Sequence, residues 1–369
     1  MTLVKTELLN ELTLVILSYN HPFQLERSLE HWRRLPVKVY VLDGSKKPWF
    51  GVGPLPSAPN VIYTHIPKED DESSVKNYQR RAKMIRSLPL SKYAALIGDD
   101  DFFTTAGLIY AIEYLESHNE IDAVIGKCAT FNVQDREITW THKYKDWRPN
   151  ENSSDPSIVK RLRNDHSLGF IYYGILRSEK LKSIHFRANE IMFSNQKYNE
   201  LIAHTLGRAY CTISLIDKVL WLRDEKVTRP ETSEIGNYLL NSDADELVTE
   251  IFEKAFRDID ESISPEAIRE LAAIETVKLK NLLLRSASKY KTRKKPSRKK
   301  SVEIFLKESF VRLISESHQV IHQIIFRVIG PEKKSRMRAA LQPNFDEINY
   351  FEELLLRNRI DLHLRADAD

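Results

Sequence analysis

Two cysteines, Cys128 and Cys211, are all that the chain carries. They are too few for a disulfide framework and fit a reducing compartment, so a cytoplasmic protein is expected. Also lacking is any run of about 20 apolar residues, the length a helix needs to cross a bilayer. Met1 to Glu11 holds acids at Glu7 and Glu11 that break a signal-peptide pattern. Neither charge sign dominates: 56 Lys and Arg face 52 Asp and Glu, a net +4. That balance gives no nucleic-acid footprint. There is no internal repeat. What is present is 369 residues with 42% hydrophobic content, enough for two domains or one large domain with an appendage.

The first half alternates between two patterns. Leu12 to Leu17, Val37 to Asp43, Val61 to Ile66, Tyr93 to Gly98 and Asp122 to Gly126 are short apolar runs suited to buried strands. Between them, Phe23 to Arg34 spaces Leu25, Leu29 and Trp32 as a helix, with Asn20 as the expected N-cap and Pro22 in the first turn. A second helix runs from Ser73 or Ser74 to about Ser87, carrying Lys76, Arg80, Arg81, Lys83 and Arg86. A third starts at Thr104 or Thr105 with Leu108, Ile109, Ile112 and Leu115 as its stripe. This alternation predicts an α/β fold with a doubly wound, mainly parallel sheet. Further on, Cys128 to Lys143 reads as antiparallel β structure and Tyr144 to Ser157 as a loop. Gly169 to Leu176 reads as a buried strand, Phe193 to Gly207 as a helix, and Tyr210 to Leu222 as a return to the sheet.

The strand at Tyr93 ends in Asp99-Asp100-Asp101. Crowded carboxylates repel one another, and a divalent cation resolves the repulsion. Asp99 and Asp101 lie two apart, a spacing at which they can share a hard ion such as Mg²⁺ or Mn²⁺ with substrate phosphates. The competing reading is an acidic loop with an Asp capping the next helix. Ligands of such sheets bind beyond the carboxyl ends of strands. Tyr19, Asp43 and the three acids all lie there, so three separate stretches converge on one edge.

In this order the stretches resemble the inverting family 2 glycosyltransferases of GT-A fold. The resemblance covers about Leu12 to Thr228. It is carried by Ile16-Leu17-Ser18-Tyr19-Asn20, by Val41-Leu42-Asp43-Gly44-Ser45, by Tyr78-Gln79-Arg80-Arg81-Ala82-Lys83, and by the Asp-x-Asp motif Asp99-Asp100-Asp101. Two departures stand out: Asp43 is alone where relatives carry two Asp, and a Glu-Asp pair is missing from the later helix. The resemblance implies metal-dependent transfer of a sugar from a nucleotide diphosphate, UDP-linked, to a glycan, lipid-linked or other hydroxyl acceptor. It makes Asp101 a direct ligand of Mn²⁺ or Mg²⁺, with Asp99 coordinating or meeting the ribose and Asp100 contacting the donor sugar. Ser18, Tyr19 and Asn20 would line the nucleotide, with Tyr19 stacked on the base. Asp43 would accept from a uracil N–H, and Arg81, with Arg80 as its rival, would hold the base edge or diphosphate. Glu200 would be the general base, with Glu190 and Asp224 as rivals, and Arg223 would meet donor phosphate.

Beyond about residue 240 the character turns helical, at Ala244 to Arg257, Pro265 to Leu284, Ser301 to Val328 and Phe345 to Arg357. The expected division is therefore 1–240, the GT-A domain, and 241–369, a helical region. Lys289 to Lys300 is dense in Lys and Arg. It suits peripheral contact with the anionic inner face of a membrane, a solvated linker or a nucleic-acid-binding tail. The helices offer a surface for homo-oligomer formation. Two readings compete with sugar transfer: nucleotidyl transfer, which would call for a Gly-rich phosphate loop that Ser18 to Pro22 lacks, and a non-catalytic binding module.

Overall fold

The computed structural model describes residues 3–49, 58–67, 74–134, 137–143, 157–163, 171–188, 196–224, 242–293, 350–351 and 353–355. A 3-10 segment, Leu3–Glu11, leads into β1 (Leu12–Ser18), α1 (Pro22–Trp32), β2 (Lys38–Asp43) and β3 (Val61–His65). Next come α2 (Ser74–Ser87), β4 (Tyr93–Gly98), a two-residue β5 (Phe102–Phe103) and α3 (Thr105–Ser117). β6 (Ala123–Gln134), β7 (Glu137–Lys143) and α4 (Ile158–Arg163) precede a 3-10 turn at Ile171–Tyr173. β8 (Ile175–Arg177), α5 (Ser178–Ala188), α6 (Gln196–Tyr210) and β9 (Ile213–Asp224) complete the sheet region, and α7 (Ser242–Ile259) and α8 (Pro265–Arg293) follow.

The strands form one sheet in the order β3-β2-β1-β4-β8-β6-β9-β5, with β7 on β6. β1 is parallel to β2 and β4, β2 to β3, and β6 to β9. β8 is antiparallel to both β4 and β6, so β6 and β9 run in the same direction as the first four strands. The expected α/β, mostly parallel sheet flanked by helices is what the chain adopts. Leu12, Leu14, Val15 and Ile16 are all buried, as a strand covered on both faces requires. Register sets the strand ends flush: Ser18 lies opposite Asp43, and Leu17 opposite Gly98. Where β6 meets β9 the pairing slips at Gly126, and a Cβ there would collide with Leu220, so the bulge needs glycine.

Three local expectations change. Asn20 is not the cap of α1. His21 holds that position without a side-chain cap bond, while Asn20 turns the chain at φ 57°, a left-handed geometry that Asn tolerates. Of the strand expected over Gly169 to Leu176, positions 169–170 lie outside the described residues, Ile171–Tyr173 form a 3-10 turn, and the strand is Ile175–Arg177. Before it, Gly174 N–H donates to Ile171 O at 3.1 Å, and the two tyrosines turn towards other helices and strands instead of alternating. α5 occupies a stretch with no helical expectation. Thr104, in contrast, caps α3 as expected, accepting from Gly107 N–H at 3.1 Å.

The helices beyond residue 240 are part of the main core: Val248, Phe252, Phe256, Ile268 and Leu279 share it with the strands. Buried charge ties α8 to the sheet side. Arg208 of α6 lies 3.9 Å from Glu275 of α8 and donates to Leu162 O at 2.6 Å. A second, smaller cluster joins Phe102, Ala129, Phe131 and Leu222 to Phe351, Leu354 and Leu355. Among the described residues no helix is long and apolar enough to cross a membrane. Positions 144–156 of the expected loop, Ser301 to Val328, the 294–300 part of the basic run and Glu190 lie outside the described residues.

His31 and His185 are buried, and burial is the main cause that brings each from 6.5 to about 3, helped by the charge of Arg34 in one case and Arg81 in the other. The unfolded chain takes up a proton at each near 6.5 and the folded chain does not. Stability is therefore full above that pH and is lost as the pH falls towards 3. Lowering the pH from 7.5 to 5.5 is expected to cost about 1.4 kcal/mol per histidine, read as a falling urea midpoint. His185→Leu should make that fall shallower; an unchanged slope would refute the assignment.

Candidate active site

β1, β2 and β4 deliver their tips side by side because their registers are flush, and side-chain bonds then lock the tips together. Ser18 Oγ donates to Asp99 Oδ2 at 2.6 Å. The left-handed turn at Asn20 brings His21 back over the same carboxylate, with Nδ1 3.3 Å from Oδ1. That bond raises the imidazole's pKa above its ordinary value against the opposing effect of burial. Asn20 N–H donates to Ser45 Oγ at 2.7 Å, and Gly44 N–H to Ser18 O at 2.9 Å. Asp99, 3% exposed, is thereby committed to the β1 turn.

Asp43 is 1% exposed and works inside its own turn. Oδ1 accepts from Ser45 N–H at 2.9 Å and Ser45 Oγ at 2.5 Å, and Oδ2 accepts from the Tyr63 hydroxyl at 2.6 Å. The Tyr63 phenol is pushed up by burial and then by this bond. Tyr19 is 43% exposed, and its ring edge lies over Gly44. It offers an open aromatic face beside the Asp43 turn.

The three acids are not equivalent. Asp101 is 2% exposed. Oδ2 accepts from Trp221 Nε1 and Oδ1 from Asp224 N–H, both at 3.1 Å. Burial, then the charge of Asp100, holds its carboxyl well above the usual range, while Arg223 and these donors pull it back. Asp100 is the partly exposed member. Its carboxylate folds over Gly98, where an added Cβ would lie 2.6 Å from Oδ1. Its carbonyl accepts from Arg27 Nη2 at 3.3 Å, and the same nitrogen reaches Asp224 Oδ2 at 3.3 Å. Behind Asp101, Trp221 stacks on Tyr173 with ring centroids 3.6 Å apart. The Arg223 guanidinium lies 5.5 Å from the Trp221 ring.

Of the residues expected from the sequence, Ser18, Tyr19, Asn20, Asp43, Asp99, Asp100, Asp101 and Arg223 meet at this edge. Arg81 is on α2 with its charge pressing on His185 of α5, and Arg80 donates to Pro67 O at 2.7 Å. Glu200 is half-buried on α6, one turn before His204. His204 packs 4.8 Å from the Tyr172 ring, and the neighbouring Tyr173 is the one on Trp221. The 3-10 turn thus connects the Glu200 helix to the acidic tip. His21, Arg27, Tyr63, Tyr173 and Trp221 are participants that sequence reading missed. Only Trp221 had a signal, its place two residues before Arg223.

Among the described residues no three His, Cys, Asp or Glu side chains converge into a ready-made metal cage. One partly exposed carboxylate is nevertheless a suitable oxygen donor for a hard cation that takes its other ligands from phosphate and water. Asp100 is partly exposed and meets that requirement, whereas Asp99 and Asp101 are only 3% and 2% exposed.

No protein-family model matches the sequence, and no curated protein does. Among solved structures the chain is similar to the crystal structure of S. aureus TarS, at 12% identity and a TM-score of 0.42, over 74% of this chain and 55% of that one. A structure of S. aureus TarS 1–349 gives 12% identity and a TM-score of 0.41, over 74% and 91%.

Proposed function

We propose that the chain is a GT-A-type glycosyltransferase that moves a sugar from a nucleotide diphosphate to a hydroxyl acceptor with inversion. One observation carries this reading. The Asp43 turn, the Tyr19 ring and the Asp100 carboxylate lie at the ends of the adjacent strands β2, β1 and β4, tied by bonds between the strand tips, an arrangement that suits a base beside the first two and a diphosphate beside the third. Tyr19 presents its open face to the base. Asp43, already holding Ser45 and Tyr63, shapes the turn beside which the base would sit. Ser18 and His21 hold Asp99 in the turn beside which the ribose would lie.

Roles within the triplet are exchanged relative to the resemblance. Asp100 would hold the divalent cation, and Asp101 secures Trp221 and the Asp224 main chain. A bound Mn²⁺ or Mg²⁺ supplies Lewis-acid stabilisation of the departing diphosphate. Arg223 adds positive charge on the β9 side. The acceptor hydroxyl attacks the anomeric carbon, the bond to the diphosphate breaks, and Glu200 takes the hydroxyl proton. The acceptor would be a glycan or lipid-linked hydroxyl, and the basic run at 289–300 is suited to an anionic membrane surface.

Thermal unfolding with UDP and UDP-sugars, with and without Mn²⁺, tests the reading. At about 100 times Kd a ligand of the folded state adds about 2.7 kcal/mol, and that gain should require Mn²⁺. UDP release from a UDP-sugar supports sugar transfer; pyrophosphate release from a nucleoside triphosphate supplied with a sugar 1-phosphate instead points to nucleotidyl transfer. A panel of nucleotides and nucleotide sugars that neither stabilises the chain nor turns over sinks both.

A further inference from the structure

The acidic tip is held in front by Ser18 and His21 and at the side by Trp221. From behind, Arg27 holds the main-chain carbonyl of Asp100 and reaches Oδ2 of the Asp224 side chain, each at 3.3 Å. A guanidinium has many rotamers, and two long hydrogen bonds do not fix one by themselves. What fixes it is a platform: Arg27 Cζ lies 5.5 Å from the Phe102 ring centroid and 5.7 Å from that of Phe131. Those rings need cover. It comes from the C-terminal segment, where Phe351 is fully buried and sits edge-on to Phe102 at 5.3 Å. Tyr350 pins the segment by its hydroxyl, 3.4 Å from His31 Nδ1 across 319 residues of sequence. This cluster is separate from the main core.

We propose that the segment around Phe351 is a positioning part of the active site. Phe351 holds Phe102 and Phe131 as a platform, the platform holds Arg27, and Arg27 fixes the main chain of Asp100. The nature of the ligand rests on the function proposed above; the mechanical coupling does not.

Full-length chains carrying Phe351→Ala, Phe351→Leu, Arg27→Gln and the Phe351→Ala/Arg27→Gln pair separate the possibilities. Amide exchange is followed in peptides covering 98–103, with 12–18 as the internal reference. Phe351→Ala and Arg27→Gln are each expected to speed exchange at 98–103 by roughly tenfold while 12–18 stays protected. Phe351→Leu, which refills the space, should remain within about threefold of the native chain. The double variant should exchange no faster than Arg27→Gln alone, because the two substitutions act through one path. Calorimetric Kd for UDP with Mn²⁺ should weaken by about tenfold in Phe351→Ala and recover in Phe351→Leu. Unchanged exchange at 98–103 in Phe351→Ala, or additive effects in the pair, overturns the proposal. Should Phe351→Ala not fold, unchanged exchange in Arg27→Gln overturns it equally. If the tip loosens as expected but the native chain binds no UDP, the donor reading fails and the positioning role stands.

Discussion

Asp100→Ala is expected to lower Mn²⁺-dependent donor hydrolysis by about 10²–10³-fold, the usual cost of losing one preorganised contact to developing charge. It should do so without loss of stability. Asp100 is the partly exposed carboxylate, and its charge is one cause of the unfavourable position of buried Asp101. Removing it relieves that repulsion, so thermal unfolding should stay level or rise slightly. Asp101→Asn should behave in the opposite way. Two N–H donors, from Trp221 and Asp224, point at the two Asp101 oxygens. An asparagine offers one acceptor and one donor, so one N–H loses its partner, at about 1–3 kcal/mol by urea denaturation. Donor binding should survive in the molecules that remain folded. If instead Asp101→Asn abolishes Mn²⁺-dependent UDP binding at full stability while Asp100→Ala hydrolyses donor normally, the metal ligand is Asp101 and the assignment is reversed.

Glu275→Ala is expected to cost about 3–5 kcal/mol, the range for removing one member of a buried ion pair. Glu275 and Arg208 are each 2% exposed. Lys278 Nζ lies 2.6 Å from Glu275 Oε1. Two cations, on α6 and α8, therefore share one carboxylate. Arg208 also donates to Arg161 O at 3.4 Å, and Arg161 Nη2 to Ala209 O at 2.6 Å, so α4 and α6 are tied into the same group. Deleting the carboxylate removes the buried negative charge 3.9 Å from Arg208, and the desolvation of the guanidinium is then less well compensated. Domains are stable by only about 5–15 kcal/mol, so the urea midpoint should fall sharply. The pair Arg208→Met with Glu275→Leu should recover much of the loss, because an apolar replacement of a buried pair is often neutral or better. A midpoint unmoved by Glu275→Ala would mean that the group is solvated and contributes little.

Much of the sheet was legible because a parallel strand buried on both faces leaves an unbroken apolar run, as at Leu12 to Leu17 and Tyr93 to Gly98. The meeting of Tyr19, Asp43 and the acids was legible for the same reason, since strand ends locate a site before any side chain is placed. What each acid does was not. Asp99, Asp100 and Asp101 are identical in sequence, and only their neighbours distinguish them. Ser18 lies 81 residues from Asp99, and Trp221 lies 120 from Asp101. Arg27 sits off the apolar stripe of α1 and reads as a solvated base; its platform comes from three distant stretches. Asn20 has the composition of a cap, and its left-handed backbone reflects the demand that His21 return over Asp99. The expected break near residue 240 followed a real change to helical sequence. Composition cannot say, however, that Phe252 and Phe256 would enter the same core as the strands.

For a folding chain, the acidic tip is a place where long loops must close. The bonds that lock it join residues 78, 81, 120, 123 and 197 positions apart, and its rear support joins residues 319 apart. Closure over such lengths is repaid only after both ends are already structured, which slows folding and orders its steps. The apolar sheet can collapse first. The carboxylates would then remain apart from their partners until β9 and the Phe351 segment arrive, so the acidic tip is expected to order late as the chain folds.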